Sequence, residues 1–408
     1  MRTVEEALEL LARAAGEPRV DVHRVPLAEA LGRILAADVP MDHDVPPFRR
    51  AAMDGFAIHG DEAAPGVRFR VTSSVMAGDD PQAPVNGGEA ARIMTGAPVP
   101  EGADAVVPIE WCDDEGETFT LARMPHTPGN VVPRGAHIQQ GDVVAQAGAP
   151  ILPATLGALA SAGCASVPVA RRPRVAILGT GSELVPVDHA PGPGAIRNSN
   201  SASLVGQCQR VGAVPVDLGA VTDEDEPLRA AIRRGLEHDV FLLSGGVSMG
   251  DKDLVPGALE AEGVTCVFHR WSVQPGGPLW CGVKDDTLVF GLPGNPAATF
   301  VGFEMLVVPA LRTRLGLPLT ARPMLRARYE GPWGKAGPRR RFRPVTLGSD
   351  DAGTLVATAA PWKGSGDPFG LAAGDALAVL PESEDEPANP LVDVVPVAQS
   401  LLLWGSAS

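Results

Sequence analysis

The sequence predicts a multidomain protein of the α/β plus β class, in which a parallel-sheet α/β domain lies between β-rich regions. Three observations indicate this fold in a chain of 408 residues. Apolar runs alternate with helical patterns from residue 175 to residue 315, which is typical of βαβ units. Short strand patterns separated by turns precede and follow that region, which favours a β-rich insertion and a C-terminal small β-barrel. Two glycine-rich loops directly follow apolar runs, where parallel sheets bind their ligands.

The N-terminal region is predicted to begin with a helix. Thr3 and Glu6 fit the capping box T-x-x-E, and apolar residues continue at helical spacing to Ala15. The same spacing predicts a second helix over residues 27–35, and a Pro near the start with a Gly at the end predicts a third over residues 153–163. Between these two helices, apolar runs bounded by Gly, Pro and Asp predict strands at residues 67–75, 104–111 and 117–121.

The rest of the chain changes pattern twice. Four apolar runs predict the strands of a parallel sheet, at residues 175–178, 214–218, 240–243 and 288–290. Helical patterns lie between and after these runs, at residues 201–211, 227–236, 255–262 and 296–315. Beyond residue 317 the sequence returns to short strands, at residues 324–329, 341–347, 355–358, 376–380 and 391–396. These last strands are the predicted barrel.

Composition excludes several classes of protein. Apolar residues make up 45% of the chain and charged residues 20%, which are ordinary values for a globular protein. The formal net charge of −15 argues against binding to nucleic acid or to an anionic membrane. The uncharged stretch 143–170 contains several prolines and is too weakly apolar to span a membrane. The five scattered cysteines lack a C-x-x-C pair, which predicts reduced thiols in the cytoplasm.

The two glycine-rich loops predict an anion-binding pocket. One comprises residues 244–253, S-G-G-V-S-M-G-D-K-D, and the other residues 291–297, G-L-P-G-N-P-A. Glycine lets backbone N–H groups approach a ligand without obstruction by Cβ, and a helix N-terminus adds partial positive charge. Asn295 is predicted to cap the following helix with its side-chain oxygen. A strand-to-helix turn without any ligand is the alternative for this second loop.

Several carboxylates lie in loops beside glycine. Asp54, Glu183 and Asp253 each occupy such a position, and Asp223 begins an acidic cluster. Any one of them alone is typical of a turn or a helix cap. Together with a phosphate pocket, they are candidates to hold Mg²⁺ or to position water. The arginine-rich run 339–343 either contacts an anionic ligand or, more commonly for such runs, keeps an edge strand soluble.

One motif supports a different class of enzyme. Residues 246–250 fit the G-x-S-x-G motif of α/β-hydrolases, with Ser248 as the nucleophile. The catalytic histidine would have to follow, and His269 is the only histidine downstream. Little chain lies between Ser248 and His269 for the acid and the strands that the hydrolase order requires. The loop therefore suits phosphate and cation binding better than nucleophilic catalysis.

Six ordered motifs cover nearly the whole chain. They are A-M-D-G-F-A at residues 52–57, I-M-T-G-A-P-V-P-E-G-A-D at 93–104, G-T-G-S-E-L at 179–184, N-S-N at 198–200, S-G-G-V-S-M-G at 244–250 with Asp253, and G-L-P-G-N-P at 291–296. Together they resemble the molybdopterin molybdenumtransferase family, the MoeA and gephyrin E-domain proteins. The resemblance implies a homodimer of four-domain subunits. Its implied domains are a split helical/mixed N-terminal domain (1–45 and 136–170), a β-rich insertion (46–135), an α/β molybdopterin-binding domain (171–320) and a C-terminal β-barrel (321–408).

The resemblance also implies a reaction and a set of site residues. An enzyme of this family takes molybdate and adenylylated molybdopterin, releases AMP and leaves molybdenum on the dithiolene, with Mg²⁺ helping. The implied catalytic residues are Asp54, Thr95, Glu183 and Asp253. The residues implied to bind the pterin and its phosphates are Asn198, Ser244, Gly245, Gly246, Ser248, Gly250, Pro293, Gly294 and Asn295. The implied metal ligands are Asp54, Glu183, Asp223 and Asp253.

The implied site is shared between subunits. Asp54 and Thr95 are implied to reach the α/β domain of the partner subunit, where the pterin is held. Beyond the second copy and the small-molecule substrates, the resemblance implies molybdopterin adenylyltransferase and molybdoenzymes as partners.

One segment departs from the family pattern. Many members carry two lysines in an I-K-P-G-K-P-like segment, which here reads V-Q-P-G-G-P with Gln274 and Gly277 at those places. Losing two ammonium groups weakens an anion site unless arginine or backbone N–H groups compensate. These two replacements suggest the alternative of a non-catalytic molybdopterin-binding or scaffolding paralogue. An active molybdenum insertase is the favoured interpretation, because the chain retains Asp54, Thr95, Glu183 and Asp253.

Overall fold

The computed structural model describes residues 1–80, 83–123, 129–247, 254–334, 337–382 and 390–397. The chain forms two compact units. The main unit comprises Met1–His23, Gly32–Ala36 and Val169–Ser408, and the N-terminal β unit comprises Arg24–Leu31 and Ala37–Pro168. Within the described ranges, no helix is long and apolar enough to cross a membrane. The finer division into four domains stays a prediction.

The first predicted helix is confirmed with its capping box. Helix α1 spans Val4–Ala15. The Thr3 hydroxyl accepts a hydrogen bond from the Glu6 N–H at 3.1 Å, and the Glu6 carboxylate accepts one from the Thr3 N–H at 3.0 Å. The other α-helices of the described ranges are α2 (Pro153–Ser161), α3 (Ser199–Arg210), α4 (Asp225–Gly235), α5 (Val255–Ala261), α6 (Pro296–Gly302), α7 (Val308–Thr313) and α8 (Pro368–Ala372). A π-helical segment, Phe303–Val307, joins α6 to α7.

The helix predicted over residues 27–35 is wrong. Only Leu27–Glu29 coil, in a single 3₁₀ turn. Gly32 adopts the left-handed conformation with a φ of 73°, which ends helical geometry. Leu31 is 53% exposed, so the apolar spacing that suggested a helix provides no continuous buried face.

The strands of the described ranges fall into two groups along the chain. Those before residue 171 are β1 (Val22–Pro26), β2 (Val39–Pro40), β3 (Arg50–Ala51), β4 (Gly55–Ile58), β5 (Arg68–Val75), β6 (Glu89–Ile93), β7 (Ala105–Pro108), β8 (Cys112–Asp114), β9 (Thr118–Leu121), β10 (Val131–Val132), β11 (Val143–Ala145) and β12 (Ser166–Ala170). Those after it are β13 (Arg174–Thr180), β14 (Leu184–Val185), β15 (Ile196–Arg197), β16 (Val214–Val221), β17 (Val240–Ser244), β18 (Thr265–His269), β19 (Val273–Gln274), β20 (Trp280–Lys284), β21 (Thr287–Leu292), β22 (Leu325–Glu330), β23 (Arg340–Ser349), β24 (Leu355–Ala359), β25 (Ala376–Leu380) and β26 (Leu391–Pro396).

The N-terminal β unit is built around a six-stranded sheet in the order β7-β4-β6-β5-β9-β8. The predicted strands at 67–75 and 117–121 are confirmed as β5 and β9, and the one at 104–111 is confirmed as far as the end of β7. Phe56 and Phe69 both stack on Phe119, with ring centroids 4.0 Å and 5.2 Å away. Stacked, fully buried aromatic rings stabilise this face of the sheet beyond the burial of their area.

The main unit contains the predicted parallel sheet, in the order β16-β13-β17-β21-β20-β18. The first four strands run parallel, while β20 and β18 add an antiparallel edge. Every residue of β17 and β21 is buried, as expected for central strands covered on both faces. Because β13, β17 and β21 run parallel, their carboxyl ends meet at one edge of the sheet, where parallel sheets bind ligands.

The predicted C-terminal barrel is confirmed. Strands β23, β24, β22, β26 and β25 follow one another, and β25 pairs back onto β23, so the sheet closes. Strand β19 adds to this barrel, because Val273 pairs with Arg340 and Gln274 with Arg341. This pairing brings the segment that follows β19 next to the first residues of β23.

A buried charge lies between the α/β sheet and the barrel within the main unit. Glu304, in the π-helical segment, is 0% exposed and its carboxylate accepts hydrogen bonds from Arg210 and from Gln207, the latter at 2.8 Å. Arg322 lies 3.3 Å from the same carboxylate and donates to the Pro396 carbonyl at 2.6 Å. Since a buried charge is costly without partners, this cluster fixes the start of the barrel against α3.

We expect Glu304→Gln to lower the free energy of unfolding by about 3 kcal/mol, because it breaks a buried ion pair. Urea denaturation measures the change. Glu226→Gln is the matched control, since Glu226 forms an ion pair with Arg233 but is 74% exposed. The control should change stability by less than about 1 kcal/mol. Equal effects of the two variants would contradict a special contribution from the buried charge.

Candidate anion-binding site

The first glycine loop begins where β17 ends. Gly245 and Gly246 have φ values of 104° and 63°, which favour glycine. A Cβ atom on Gly245 would collide with the Thr180 carbonyl, and one on Gly246 would lie 2.7 Å from Cγ2 of Val255. The left-handed φ values and the close approach of Thr180 and Val255 therefore favour glycine at both positions.

The described parts of the two glycine loops, residues 244–247 and 291–297, lie side by side. Ser244 pairs with Leu292 in the parallel register of β17 and β21. Just beyond that pair, the Gly245 N–H donates to the Leu292 carbonyl at 3.0 Å. The N–H groups of Gly246, Gly294 and Asn295 donate to no acceptor in the part of the chain that the structure describes. These groups are available to a ligand at the sheet edge.

The helix after the second loop begins differently from the prediction. Asn295 does not cap α6 with its side chain, so that prediction is wrong. Its side-chain nitrogen instead donates to the Ser365 hydroxyl at 3.3 Å, and its backbone carbonyl accepts from Thr299 at 3.0 Å. The Ala297 N–H donates to the Ser365 carbonyl at 3.0 Å. Ser365 thus contacts the first residues of α6. The N–H groups of the loops remain as backbone donors for an anion.

Two adjoining cavities open on these loops. The larger, of about 640 Å³, is lined by residues 273–278, by residues 293–295 and by side chains that include Glu183 and Arg339. The smaller, of about 290 Å³, is lined by Asn198, Ser244, Gly245 and their neighbours. Both share Glu183, Gly294 and Asn295. Their combined volume is in the range of small-molecule and cofactor sites.

The residues predicted to bind the pterin line these cavities as far as they are described. Pro293, Gly294 and Asn295 line the larger cavity together with Gly246. Asn198 lines the smaller one, while its side-chain oxygen also caps α3 by accepting the Ser201 N–H at 3.2 Å. Ser248, Gly250 and Asp253 lie outside the described residues. Their predicted roles stay predictions.

Two predicted carboxylates lie at the same edge of the sheet. Glu183 follows β13 and folds back over Gly181, where a Cβ atom would collide with its carboxylate. Asp223 follows β16 and accepts hydrogen bonds from the N–H and the hydroxyl of Ser182, at 3.3 Å and 3.5 Å. Within the described ranges, no three His, Cys, Asp or Glu side chains cluster closely enough to hold a metal ion by themselves. A cation at this edge would therefore also need oxygen atoms from a bound small molecule or from water.

An arginine stands beside the segment that lacks the family's lysines. A Cβ atom on Gly277 would lie 3.5 Å from Nη1 of Arg339, so the guanidinium borders the place where a longer side chain would project. Arg339 is half-buried and lines the larger cavity. No described carboxylate lies within ion-pair distance of it, whereas the neighbouring Arg340 pairs with Glu5 at 2.7 Å. Nothing in the arginine-rich run 339–343 predicts that Arg339 in particular lines this cavity.

The hydrolase interpretation receives no geometric support from the described residues. His269 places its Nε2 atom 3.1 Å from the Val247 carbonyl, so a backbone group already occupies that face of the ring. Ser248 itself lies outside the described residues.

The N-terminal β unit contains the pair formed by Asp54 and Thr95. The N–H and the hydroxyl of Thr95 both donate to Oδ1 of Asp54, each at 2.7 Å. These two bonds, the backbone bond first, lower the pKa of Asp54, because they favour the ionised carboxylate. Both side chains are exposed, and Oδ2 of Asp54 has no hydrogen-bond donor in the described ranges. The pair therefore presents an ionised carboxylate to an incoming group.

The fold and the cavities define a multidomain α/β protein with a candidate anion-binding site at the carboxyl edge of its central sheet. Comparison with known families agrees. Residues 2–163 match the MoeA N-terminal region (domain I and II), residues 176–313 a probable molybdopterin binding domain, and residues 326–397 the MoeA C-terminal region (domain IV). The chain belongs to the MoeA family of molybdopterin molybdenumtransferases.

Individual relatives cover almost the whole chain. The molybdopterin molybdenumtransferase of Bacillus subtilis is 36% identical over 367 residues, which are 88% of this chain and 85% of the relative. That of Staphylococcus epidermidis is 32% identical over 403 residues, 96% of this chain and 95% of the relative. The crystal structure of the MoeA molybdopterin biosynthesis protein of Pyrococcus horikoshii superposes with a TM-score of 0.82 at 31% identity, covering 97% of this chain and 99% of that one.

We expect Thr95→Ala to raise the pKa of Asp54, because the hydroxyl bond is lost while the backbone bond remains. Titration of the Asp54 carboxyl carbon by NMR measures this pKa. Thr95→Ser keeps the hydroxyl and serves as the control, with an unchanged titration. An identical pKa in the alanine variant would show that the hydroxyl does not stabilise the carboxylate.

Proposed function

We propose that this chain is a molybdenum insertase, which transfers molybdenum from molybdate to adenylylated molybdopterin and releases AMP. Membership of the molybdopterin molybdenumtransferase family supports the activity and its place in molybdenum cofactor biosynthesis. The observation that carries the proposal for this chain is the cavity that joins the N–H groups of both glycine loops to Arg339. Phosphate and molybdate are both tetrahedral oxyanions, and such a cavity offers donors to each.

The loop N–H groups bind the phosphates in this proposal. Gly246, Gly294 and Asn295 each present an N–H without an acceptor in the described ranges. Hydrogen bonds from N–H groups to charged oxygens are stronger than those between neutral groups. Since the glycines allow close backbone approach, the phosphates can reach all three donors.

Arg339 supplies the positive charge that lysines provide in many relatives. Its guanidinium borders Gly277 and is free of ion pairs with described carboxylates. A guanidinium binds an oxyanion with two parallel hydrogen bonds, so one arginine compensates in part for two ammonium groups. The alternative of a non-catalytic paralogue rested on the loss of those lysines, and this arrangement removes its main support.

The carboxylates at the sheet edge suit a Mg²⁺ ion that also binds the substrate. Mg²⁺ commonly uses one or two protein carboxylates and completes its shell with phosphate oxygens and water. Glu183 and Asp223 are the described residues that would hold it, with Asp253 as the further predicted ligand. When bound, the ion would supply positive charge to the oxygens of the phosphate anhydride that is cleaved when AMP leaves.

The pair of Asp54 and Thr95 completes the proposed site in a homodimer. In this arrangement the pair on one subunit acts on the ligand held by the main unit of its partner. Because Thr95 keeps Asp54 ionised, the carboxylate can accept a proton from water or bind the cation. Molybdopterin adenylyltransferase and molybdoenzymes are the proposed partners that deliver the substrate and receive the product.

Molybdate-dependent release of AMP from adenylylated molybdopterin tests the function and the role of Arg339. We expect Arg339→Ala to raise the KM for molybdate at least about tenfold, because the loss of even one of the two charge-assisted hydrogen bonds has an effect of that size. Arg340→Ala is the matched control, since Arg340 pairs with Glu5 instead of lining the cavity. Background AMP release by the wild-type protein would refute the function, and equal KM values for the two variants would refute the role of Arg339.

Asp54→Ala should reduce molybdenum insertion at least about 100-fold, as expected when a positioned acid–base group is removed. The variant should remain dimeric, because Asp54 is exposed and bonds only to Thr95 through its side chain. Single-turnover AMP release and light scattering measure the two properties. A fully active Asp54→Ala protein would show that this carboxylate has no part in the reaction.

A further inference from the structure

Asn200 connects the two glycine loops through its side chain. Its Nδ2 atom donates to the Ser244 hydroxyl at 2.9 Å and to the Gly294 carbonyl at 2.7 Å. A third, longer contact of 3.3 Å joins it to the Thr299 hydroxyl. Ser244 belongs to the first loop and Gly294 to the second, so one amide group bridges both.

The chemistry of the acceptors determines how this amide is oriented. The Gly294 carbonyl can only accept, so the Asn200 amide must direct its nitrogen toward it. The Thr299 hydroxyl donates its proton to the Pro293 carbonyl and is therefore also an acceptor toward Asn200. Both hydrogens of the amide are thus committed to the loops.

The surroundings make these bonds strong. Ser244 is 3% exposed and Thr299 2% exposed, so the bonds form where water does not compete well. Asn200 itself is held in the first turn of α3, whose start is capped by Asn198. The bridge is therefore anchored on a fixed helix and does not depend on either loop for its position.

We propose that Asn200 is a positioning residue that holds the two glycine loops at a fixed separation, so that their N–H groups converge on one phosphate-bearing ligand. The free N–H groups lie close in sequence to the residues that Asn200 bridges. Gly246 is two residues after Ser244, and Asn295 is one residue after Gly294. Without the amide, the hydrogen bond from Gly245 to Leu292 is the only one that links the described parts of the two loops beyond the strand pairing. The identity of the ligand rests on the proposed function, but the positioning does not.

Hydrogen–deuterium exchange of the ligand-free protein tests the positioning directly. Asn200→Ala should accelerate exchange at least about fivefold in peptides that cover the two loops and leave α4 unchanged, because a lost bridge allows local opening. Asn200→Asp should do the same, since a carboxylate keeps the shape but donates nothing to Gly294. Gln209→Glu, an exposed amide-to-carboxylate change on the same helix, is the control and should leave the loops unchanged. Unchanged loop exchange in Asn200→Ala, or faster exchange throughout the sheet, would overturn the inference.

Binding and turnover then distinguish positioning from catalysis. Molybdopterin should bind Asn200→Ala about tenfold more weakly than wild type. This factor corresponds to the net contribution of one hydrogen bond that holds the loops in place before the ligand binds. The KM for adenylylated molybdopterin should rise by the same factor while kcat stays within about twofold. A fall in kcat with unchanged KM would overturn the positioning role. If the wild type releases no AMP, the proposed function fails, and the exchange experiment still decides the role of Asn200.

Discussion

The shared carboxyl edge of β13, β17 and β21 is the constraint on which the rest of the site depends. Because these strands run parallel, the loops after them leave the sheet side by side, and the pairing of Ser244 with Leu292 sets their alignment. The barrel reaches the same edge, since β19 pairs with the start of β23 and places Arg339 beside Gly277. Donors that are distant in sequence therefore line one cavity in the main unit.

Local charge outweighs overall charge at this edge. The chain carries a formal net charge of −15, which opposes an anionic substrate at long range. At physiological salt, exposed charges are screened beyond about 8 Å, so groups in contact with the ligand dominate binding. In the proposed site, Arg339 and the free N–H groups are the groups that contact the ligand. A cation at Glu183 and Asp223 would strengthen the same local field.

The sequence predicted what depends on local pattern and missed what depends on distant contacts. Apolar runs were sufficient to predict the parallel sheet and the barrel, and the spacing of glycines predicted the positions of both loops. The helix predicted over residues 27–35 fails because Gly32 adopts a left-handed conformation and Leu31, from the predicted apolar face, is exposed. The cap by Asn295 fails because Ser365, from the barrel, takes over the start of α6. Arg339 could not be separated from its neighbours, since only the barrel pairing shows which arginine enters the cavity.

A crystal of the wild-type protein soaked with molybdate and AMP tests the central claim most directly. Anomalous scattering from molybdenum should place the oxyanion within hydrogen-bond distance of the Arg339 guanidinium, next to Gly277. The AMP phosphate should accept hydrogen bonds from the N–H groups of Gly246 and of Gly294 or Asn295. Molybdenum bound away from Arg339, with the phosphate bound away from both loops, would contradict the account.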